Sequence, residues 1–460
     1  MSPPTLRAEL RRLLALALPL SITQAGQALM GVVDVAVLGR VDPVLLGAVG
    51  LGNALFFGIG ILGMGVMYGV DPLVSQALGA GDGERARRLV WQAGWLALGL
   101  SLVLAVPIAL APALLGPLGI PAVAAQHASR FIGWRLLGLP LFFLHFAPRT
   151  YLQARGKLRP MLVAVALANA VNLLLDVLLV YGGRNLPAWA GPLRAIPSLG
   201  VAGAATATNL SALVQVAVLA LAVRGELGAR GGRAIPLPDR REILLSLRVG
   251  LPAGLHMFAE VSFFALASLL AGRLGTLPLA AHQLALQIAS LTFTAAMGLS
   301  SAGSVRVGLA VGARDRAGAR RAGVAALLGG AAFMSACGLL LLLFPGAVAR
   351  ALTDDPETIA TAVPLLRIAA VFQLSDGLQG VGAGILRGAG HTRFTFGTNM
   401  VAYWVIGLPL TLVFAFGLGL GVVGLWLGFV VSLALVAASL VWRFLRISSR
   451  EMAPLAHPAF

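Results

Sequence analysis

The stretch GAGDGERARR (Gly79–Arg88) occurs again in the second half of the chain as GARDRAGARR (Gly312–Arg321), with six of ten positions identical. At this offset the match runs without gaps back to the first apolar run of the chain. Further on, LQARGKLR (Leu152–Arg159) lies over LRGAGHTR (Leu386–Arg393) at nearly the same offset. Self-similarity at a nearly constant offset indicates an internal repeat, in which one structural unit occurs twice in the chain.

Both copies are strongly apolar. Hydrophobic residues make up 58% of the 460 residues and charged residues 11%, whereas soluble domains are about 45–50% apolar and about 25% charged. Mean hydropathy is +0.91, and segments near the ~20 residues that a helix needs to cross a bilayer recur along the chain. The predicted spans are 14–38, 46–70, 90–110, 125–148, 160–181, 199–223, 249–271, 278–303, 322–344, 358–386, 395–417 and 420–442.

These spans predict an all-α membrane protein with twelve transmembrane helices in two six-helix bundles. Because six is even, both copies enter the membrane from the same side, so a pseudo-twofold axis along the membrane normal is expected to relate them. The predicted organisation is an N-terminal lobe of residues 1–223, a cytoplasmic linker of residues 224–248 and a C-terminal lobe of residues 249–460. The linker is rich in arginine, glycine and proline.

The net charge of +17 indicates topology rather than a nucleic-acid partner. Most of the 34 Lys and Arg residues lie before the first span or in every second connection. The alternate connections hold Arg40, Arg184, Arg194, Arg273 and Arg350. Since cytoplasmic loops collect basic residues, a multi-pass protein with both termini in the cytoplasm is predicted.

Three acids interrupt the apolar spans. Asp34 lies in MGVVDVAVLGR (Met30–Arg40), Glu260 in the seventh span and Asp376 in the tenth. A carboxylate at mid-membrane costs about 2.5–3.5 kcal/mol on insertion scales. Hydrogen bonding between helices contributes only about 0.6 kcal/mol on average, so we expect these acids to bind a cation, a proton or a cationic substrate.

Further polar and aromatic residues accompany the acids. On the fifth span Asn169, Asn172 and Asp176 are spaced i, i+3 and i+7 on one helix face, which predicts a second polar site. Asp71 precedes Pro72 and fits a helix N-cap better than a transport role. The candidates for lining a cavity are Gln27, His282, Gln283, Phe264, Phe372 and Gln379.

The two repeats differ at the acidic positions. Asp34 lies over Ala267, Glu260 over Gln27, and Asp376 over Phe142. The positions that match are mainly glycines, prolines and loop arginines. Duplication therefore kept the architecture while the ionisable chemistry diverged.

Catalytic and cofactor motifs are absent from the sequence. It has no P-loop, no zinc-ligand spacing and no nucleophile elbow, and Cys337 is its only cysteine. These absences predict a protein that is not an enzyme and has no cofactor.

Five stretches together resemble the multidrug and toxic compound extrusion (MATE) family over nearly the whole chain. They are MGVVDVAVLGR, VSQALGAGD (Val74–Asp82), AEVSFFALASLLAGRLG (259–275), AAHQLAL (Ala280–Leu286) and LRGAGHTR. Glu260 with Asp376 is most similar to the NorM-like branch. The resemblance implies an antiporter of the bacterial inner membrane that acts as a monomer and exports organic cations in exchange for Na⁺ or H⁺ by rocker-switch alternating access.

The resemblance also implies roles for individual residues. Glu260 and Asp376 match acids implicated in cation coupling, which makes Na⁺ a candidate ligand there, and Asp34 matches the acid of the N-terminal lobe. Phe372 stands where some NorM members have a tyrosine, which removes one oxygen. Asn172, Asp176 and Thr208 resemble instead the N-terminal site of the DinF branch, for which proton coupling is implied, so the coupling ion stays open between Na⁺ and H⁺.

Two other functions remain as alternatives. A lipid-linked precursor flippase of the same superfamily needs a broad cationic groove, whereas the basic residues Arg130, Arg135 and Arg367 lie near the ends of spans. In an ion channel, repeated acids near mid-membrane would form a filter.

Overall fold

The structure, a computed structural model, describes residues 5–39, 43–183, 188–228, 236–450 and 452–455. Arg40, Arg184 and residues 229–235 of the predicted linker lie outside these ranges, which contain helices and no strand. The α-helices are α1 (Leu6–Leu38), α2 (Pro43–Tyr68), α3 (Val70–Gly79), α4 (Gly83–Leu110), α5 (Ala122–Leu136), α6 (Leu139–Leu144), α7 (Phe146–Ala154), α8 (Arg159–Tyr181), α9 (Val201–Gly228), α10 (Arg240–Arg273), α11 (Thr276–Gly312), α12 (Arg316–Leu343), α13 (Pro345–Arg350), α14 (Pro356–Gly388), α15 (Thr392–Asn399), α16 (Leu408–Leu412) and α17 (Gly421–Ser448). Wider π-helical turns, Met400–Gly407 and Val413–Gly417, continue α15 and α16.

The helices confirm the predicted all-α membrane fold. Eleven helical segments in the described ranges are long and apolar enough to cross a membrane, and there are twelve if one bent pair counts as a single span. The bent pair, Ala122–Leu136 with Leu139–Ala154, changes direction by 54°. The predicted fourth span, 125–148, is therefore a broken helix.

Several helices extend beyond the predicted spans. α1 begins at Leu6 instead of residue 14, and α11 continues to Gly312 instead of residue 303. Their polar ends are paired, because Arg306 donates from Nε and Nη2 to the two carboxylate oxygens of Glu9 at 2.7 and 2.8 Å. An apolar window misses such ends because the pairing, and not hydropathy, stabilises them.

The break between α5 and α6 has a local cause. Pro140 lies in the first turn of α6 and lacks the N–H that would bond to the preceding turn. A Cβ added to Gly138 would lie 2.0 Å from Asn209 Oδ1 of α9. Asn209 Nδ2 donates to the carbonyl oxygen of Trp134 at 2.7 Å, so α9 satisfies a backbone group near the break.

The described helices form two compact units. The C-terminal unit comprises the described residues of Met1–Ile22, Asp71–Gly83 and Arg248–Phe460, and the N-terminal unit comprises those of Thr23–Val70 and Glu84–Leu247. α1 thus contributes residues to both units. The domain boundaries drawn from the sequence stay a prediction.

Within the N-terminal unit, the described end of the predicted linker is attached to α4. Arg85 donates from Nε and Nη2 to the Glu242 carboxylate at 2.9 and 3.2 Å. Gln92 donates to the carbonyl of Leu237 at 3.0 Å and accepts from the N–H of Asp239 at 2.7 Å. The chain is therefore held to α4 both just before α10 and in its first turn.

Within the C-terminal unit, α3 and the end of α11 contact each other reciprocally. A Cβ on Gly79 would lie 2.0 Å from the carbonyl oxygen of Leu309, and a Cβ on Gly312 would lie 2.0 Å from that of Gln76. Gly79 and Gly312 are counterparts in the gapless alignment of the two copies, and so are Gln76 and Leu309. A twofold relation between the two segments produces such a pair of contacts.

One contact joins a residue to its own counterpart. A Cβ on Gly308 would lie 2.8 Å from the Cβ of Ser75, which occupies the equivalent position in the first copy. Next to this contact, Gln76 Nε2 donates to the carbonyl of Gly388 at 2.9 Å. A residue that contacts its own counterpart lies beside the local axis of the repeat.

We predict that Gly312→Ala lowers the thermal unfolding midpoint of the purified protein. The new methyl group must displace the backbone at Gln76, and overpacking of this kind costs about 1–3 kcal/mol. Gly58→Ala in α2 is the control, since a Cβ there meets no atom within 4 Å. Unfolding is followed by tryptophan fluorescence in detergent, and equal midpoints for Gly312→Ala and the parent chain would contradict the close approach.

Candidate functional site

A polar cluster surrounds Asp34 in the N-terminal unit. Asn172 Nδ2 of α8 donates to Asp34 Oδ1 at 3.1 Å, and Thr208 Oγ1 of α9 lies 3.4 Å from Asp34 Oδ2. The Thr208 hydroxyl also lies 2.9 Å from the carbonyl oxygen of Ala204, and its single hydrogen serves one acceptor at a time. Asp34 is therefore held firmly by one amide and only weakly by the hydroxyl.

Asp176 lies one helical turn after Asn172 and beside the Asp34 carboxyl group. Asn172 and Asp176 are both 0% exposed. With both carboxyl groups ionised, neither oxygen of Asp176 has a hydrogen-bond donor among the described residues. Two adjacent buried carboxylates repel each other, so a proton or a cation between them would stabilise the pair.

Asn169, the third member of the predicted stripe, has a different role. Its Nδ2 donates to the carbonyl oxygens of Gly26 and Val165 at 2.9 and 2.8 Å. Asn169 therefore links α8 to the backbone of α1, and no hydrogen bond joins its amide to the carboxylates in the described part of the chain.

Arg135 is a residue of this site that sequence reasoning missed. It lies at the end of α5, as the sequence indicates, but this end is the break inside a bent span, and the side chain is only 5% exposed. Nη1 donates to Asn209 Oδ1 at 3.0 Å, and the guanidinium lies 4.6 Å from the centroid of the Phe56 ring. The signal was present in the sequence, because Gly138 and Pro140 follow directly and predict a helix break.

A cavity of about 170 Å³ lies within the N-terminal unit. Asp34, Arg135 and Thr208 line it together with Gln27, which is one of the predicted lining residues. His145 also lines it, with Nδ1 at 2.5 Å from the carbonyl oxygen of Phe142. This contact places the ring hydrogen on Nδ1 and leaves Nε2 as an acceptor.

The C-terminal unit contains the other two acids. Gln379 Nε2 of α14 donates to Glu260 Oε2 of α10 at 3.1 Å, and Asp376, one turn before Gln379, interacts electrostatically with Glu260. His256 Nε2 lies 3.5 Å from the same Glu260 oxygen. His256 was missed in the sequence although it precedes Glu260 by one turn on the same helix face.

Two oxygen atoms beside these acids have no hydrogen-bond partner in the described part of the chain. They are Gln379 Oε1 and Tyr403 Oη, and both are buried. Hard cations such as Na⁺ prefer oxygen ligands, and carboxylate and amide oxygens are among them. No group of three or more His, Cys, Asp or Glu side chains that could hold a metal ion occurs among the described residues.

The aromatic candidates form a wall on one side of the C-terminal acids. Phe372 is 1% exposed, with its ring centroid 6.3 Å from that of Phe264 and 5.5 Å from that of Trp426. Phe263 stacks on Tyr403 at a centroid distance of 4.9 Å. Phe372 is therefore packed among rings and offers no oxygen atom to the acids.

The two polar candidates of α11, His282 and Gln283, differ in their exposure. His282 is fully buried, and its Nε2 lies 3.1 Å from Ser268 Oγ of α10. Gln283 is exposed. Consecutive residues of a helix point about 100° apart, so the two side chains face different sides of α11, and their predicted lining role stays a prediction.

We predict a measurable coupling energy between Asp34 and Asn172. In a double-mutant cycle with Asp34→Ala and Asn172→Ala, the coupling should be about 0.6 kcal/mol and no more than about 1.7 kcal/mol, the range of side-chain hydrogen bonds between membrane helices. The free energy of unfolding is measured by detergent titration. Asn172→Ala with Gln92→Ala is the control pair, since these side chains share no partner and their effects should add.

A result in which the Asp34 and Asn172 effects also add, within error, would show that the 3.1 Å contact contributes nothing. The predicted cluster around Asp34 would then lose its main support.

The chain is similar to known proteins over most of its length. A sequence model of the MatE family matches residues 19–178 and 252–413. "Probable multidrug resistance protein NorM" of Mesorhizobium japonicum is 36% identical over 461 residues, which cover 98% of this chain and 96% of the relative. "Multidrug resistance protein NorM" of Burkholderia vietnamiensis is 36% identical over 470 residues, which cover 98% and 97%.

Solved structures share the fold. The eukaryotic MATE transporter AtDTX14 has a TM-score of 0.86 at 20% identity, over 96% of each chain. A MOP superfamily transporter from Pyrococcus furiosus Vc1 has a TM-score of 0.82 at 24% identity, also over 96% of each chain. At such identities the likeness establishes the fold alone.

Proposed function

The chain belongs to the MatE family, and from this premise we propose that it is a secondary active antiporter that exports organic cations in exchange for Na⁺ or H⁺. Family members are transporters and not enzymes, and the relatives at 36% identity are named multidrug resistance proteins.

One observation carries the proposal: each unit holds two acidic side chains that are buried or half-buried and have few hydrogen-bond donors among the described residues. In the N-terminal unit these are Asp34 and Asp176, with Asn172 as the firm donor. In the C-terminal unit they are Glu260 and Asp376, with Gln379 as the donor. A cation supplies the positive charge that such groups lack.

Exchange follows if the substrate and the coupling ion use the same carboxylates. An organic cation binds from the cytoplasm while the acids are free of the coupling ion. Entry of Na⁺ or H⁺ from outside then neutralises the acids and removes the attraction that holds the substrate. Rocker-switch alternating access would carry each partner in one direction, because the carboxylates cannot serve both at once.

The two clusters favour different coupling ions. Around Glu260 the buried Gln379 Oε1 and Tyr403 Oη offer further oxygens near the acids, which suits Na⁺. Around Asp34 the neighbouring Asp176 carboxyl group suits one shared proton. Both ions are therefore part of the proposal, and separate gradients distinguish them.

The proposed location is the bacterial inner membrane, with both termini in the cytoplasm and a monomer surrounded by lipid. The distribution of Arg and Lys over alternate connections supports this orientation.

We expect ion-driven efflux from proteoliposomes that contain ethidium. An inward gradient of Na⁺ or of H⁺, imposed separately, should accelerate the loss of ethidium fluorescence compared with vesicles that have equal ion concentrations on both sides. Vesicles without protein give the leak rate. Efflux that follows the ethidium gradient alone, with no response to either ion, would show a facilitator or channel instead of an antiporter.

Neutral substitution of either C-terminal acid should remove most of this response. Glu260→Gln and Asp376→Asn each delete one of the charges that cation and substrate share, and we expect at least about a tenfold lower rate, equivalent to the ~1.4 kcal/mol of one weakened ionic contact. Glu357→Gln, an exposed acid at the start of α14, is the matched control and should keep the parent rate. Unchanged efflux in both acid variants would reject the assignment of these residues.

A further inference from the structure

The Arg135 guanidinium has more N–H donors than the described residues around it have acceptors for them. A guanidinium has five N–H donors, and the described contacts are the bond to Asn209 Oδ1 and the packing over Phe56. The Nε atom is buried and has no acceptor among the described residues. A buried charge with an unused donor inside a membrane-spanning segment is costly unless a ligand or water completes it.

The same cavity contains the opposite charge. Asp34 and Arg135 both line the space of about 170 Å³, and they attract each other electrostatically. No direct ion pair joins them in the described part of the chain, because Arg135 bonds to Asn209 and Asp34 bonds to Asn172. The cavity therefore has a positive and a negative group that remain apart.

Aromatic rings complete the site. Phe57 and Phe142 line the cavity, with ring centroids 5.9 Å apart and nearly perpendicular planes. Such rings can contact the apolar part of an aromatic acid, and a guanidinium can form charge-assisted hydrogen bonds with its carboxylate.

We propose that this cavity is a binding site for zwitterions, in which Arg135 binds the carboxylate of the substrate and Asp34 attracts its cationic group. The inference rests on the proposed function and assigns a specificity-determining residue to it. Arg135 distinguishes substrates that carry an acidic group from simple organic cations. A guanidinium that served only as a counter-ion for Asp34 would show no such preference.

Two fluorescent dyes test this assignment because they differ in one group. Rhodamine 110 has a free benzoate and is a zwitterion, whereas rhodamine 123 is its methyl ester and a monocation. Dissociation constants are measured by fluorescence anisotropy on the full chain in detergent. The variants are Arg135→Gln, Arg135→Lys and Arg130→Gln, the last being the control because Arg130 is exposed on the same helix.

We expect Arg135→Gln to weaken rhodamine 110 binding by at least about tenfold, since one charge-assisted contact is lost. Rhodamine 123 should bind as it does to the parent chain. Arg135→Lys keeps the charge without the planar fork and should give an intermediate loss for rhodamine 110 alone. Arg130→Gln should change neither dye.

Equal losses for both dyes in Arg135→Gln would overturn the proposal and leave Arg135 a counter-ion, and so would unchanged binding of both dyes. If Arg135→Gln does not yield folded protein, Arg135→Lys and the preference of the parent chain for acid over ester decide the question. Gradient-driven efflux of rhodamine 123 from proteoliposomes of the parent chain is measured alongside. Its absence would count against the proposed antiport, whereas its presence with no dye-selective loss would count only against the zwitterion site.

Discussion

The structure depends on one constraint: a polar group inside a bilayer has no bulk water, so the protein itself must satisfy it. Asp34 obtains an amide donor from Asn172, Arg135 obtains an amide acceptor from Asn209, and Glu260 obtains a donor from Gln379. In each case one hydrogen bond compensates the buried charge only in part. The charge that remains uncompensated is one that a mobile ion or a charged substrate can neutralise, and the proposed transport role of these groups rests on it.

Duplication placed different chemistry at equivalent positions. Gln27, the counterpart of Glu260, lines the cavity of the N-terminal unit, and so does Phe142, the counterpart of Asp376. Both positions therefore face a candidate site in each copy, although only the second copy has acids there. The glycines at the reciprocal contact of α3 and α11 did not diverge in this way, because a Cβ at either position would collide with backbone.

Hydropathy and repeat comparison predicted the helices and their number, because a helix that crosses a bilayer must be apolar over about 20 residues. Asp34 and Asp376 are buried and Glu260 is half-buried, as expected for carboxylates that lipid does not solvate. The same reasoning discounted Arg135, since a residue near a helix end is expected to reach water. Here the helix ends inside the span, at Gly138 and Pro140, and the arginine remains buried. His256 was missed for another reason: its spacing of one turn before Glu260 was visible in the sequence, but only the structure places its Nε2 3.5 Å from the Glu260 carboxylate.

The two acidic clusters need different numbers of positive charges to become neutral. In a medium of low dielectric constant, a cluster is most stable when its net charge is near zero. With both acids ionised, Asp34 and Asp176 are half neutralised by Arg135, so one further positive charge completes the N-terminal cluster. Glu260 and Asp376 need two. One proton shared by Asp34 and Asp176 therefore neutralises the N-terminal cluster, whereas one monovalent cation at the C-terminal cluster leaves one negative charge for a second cation.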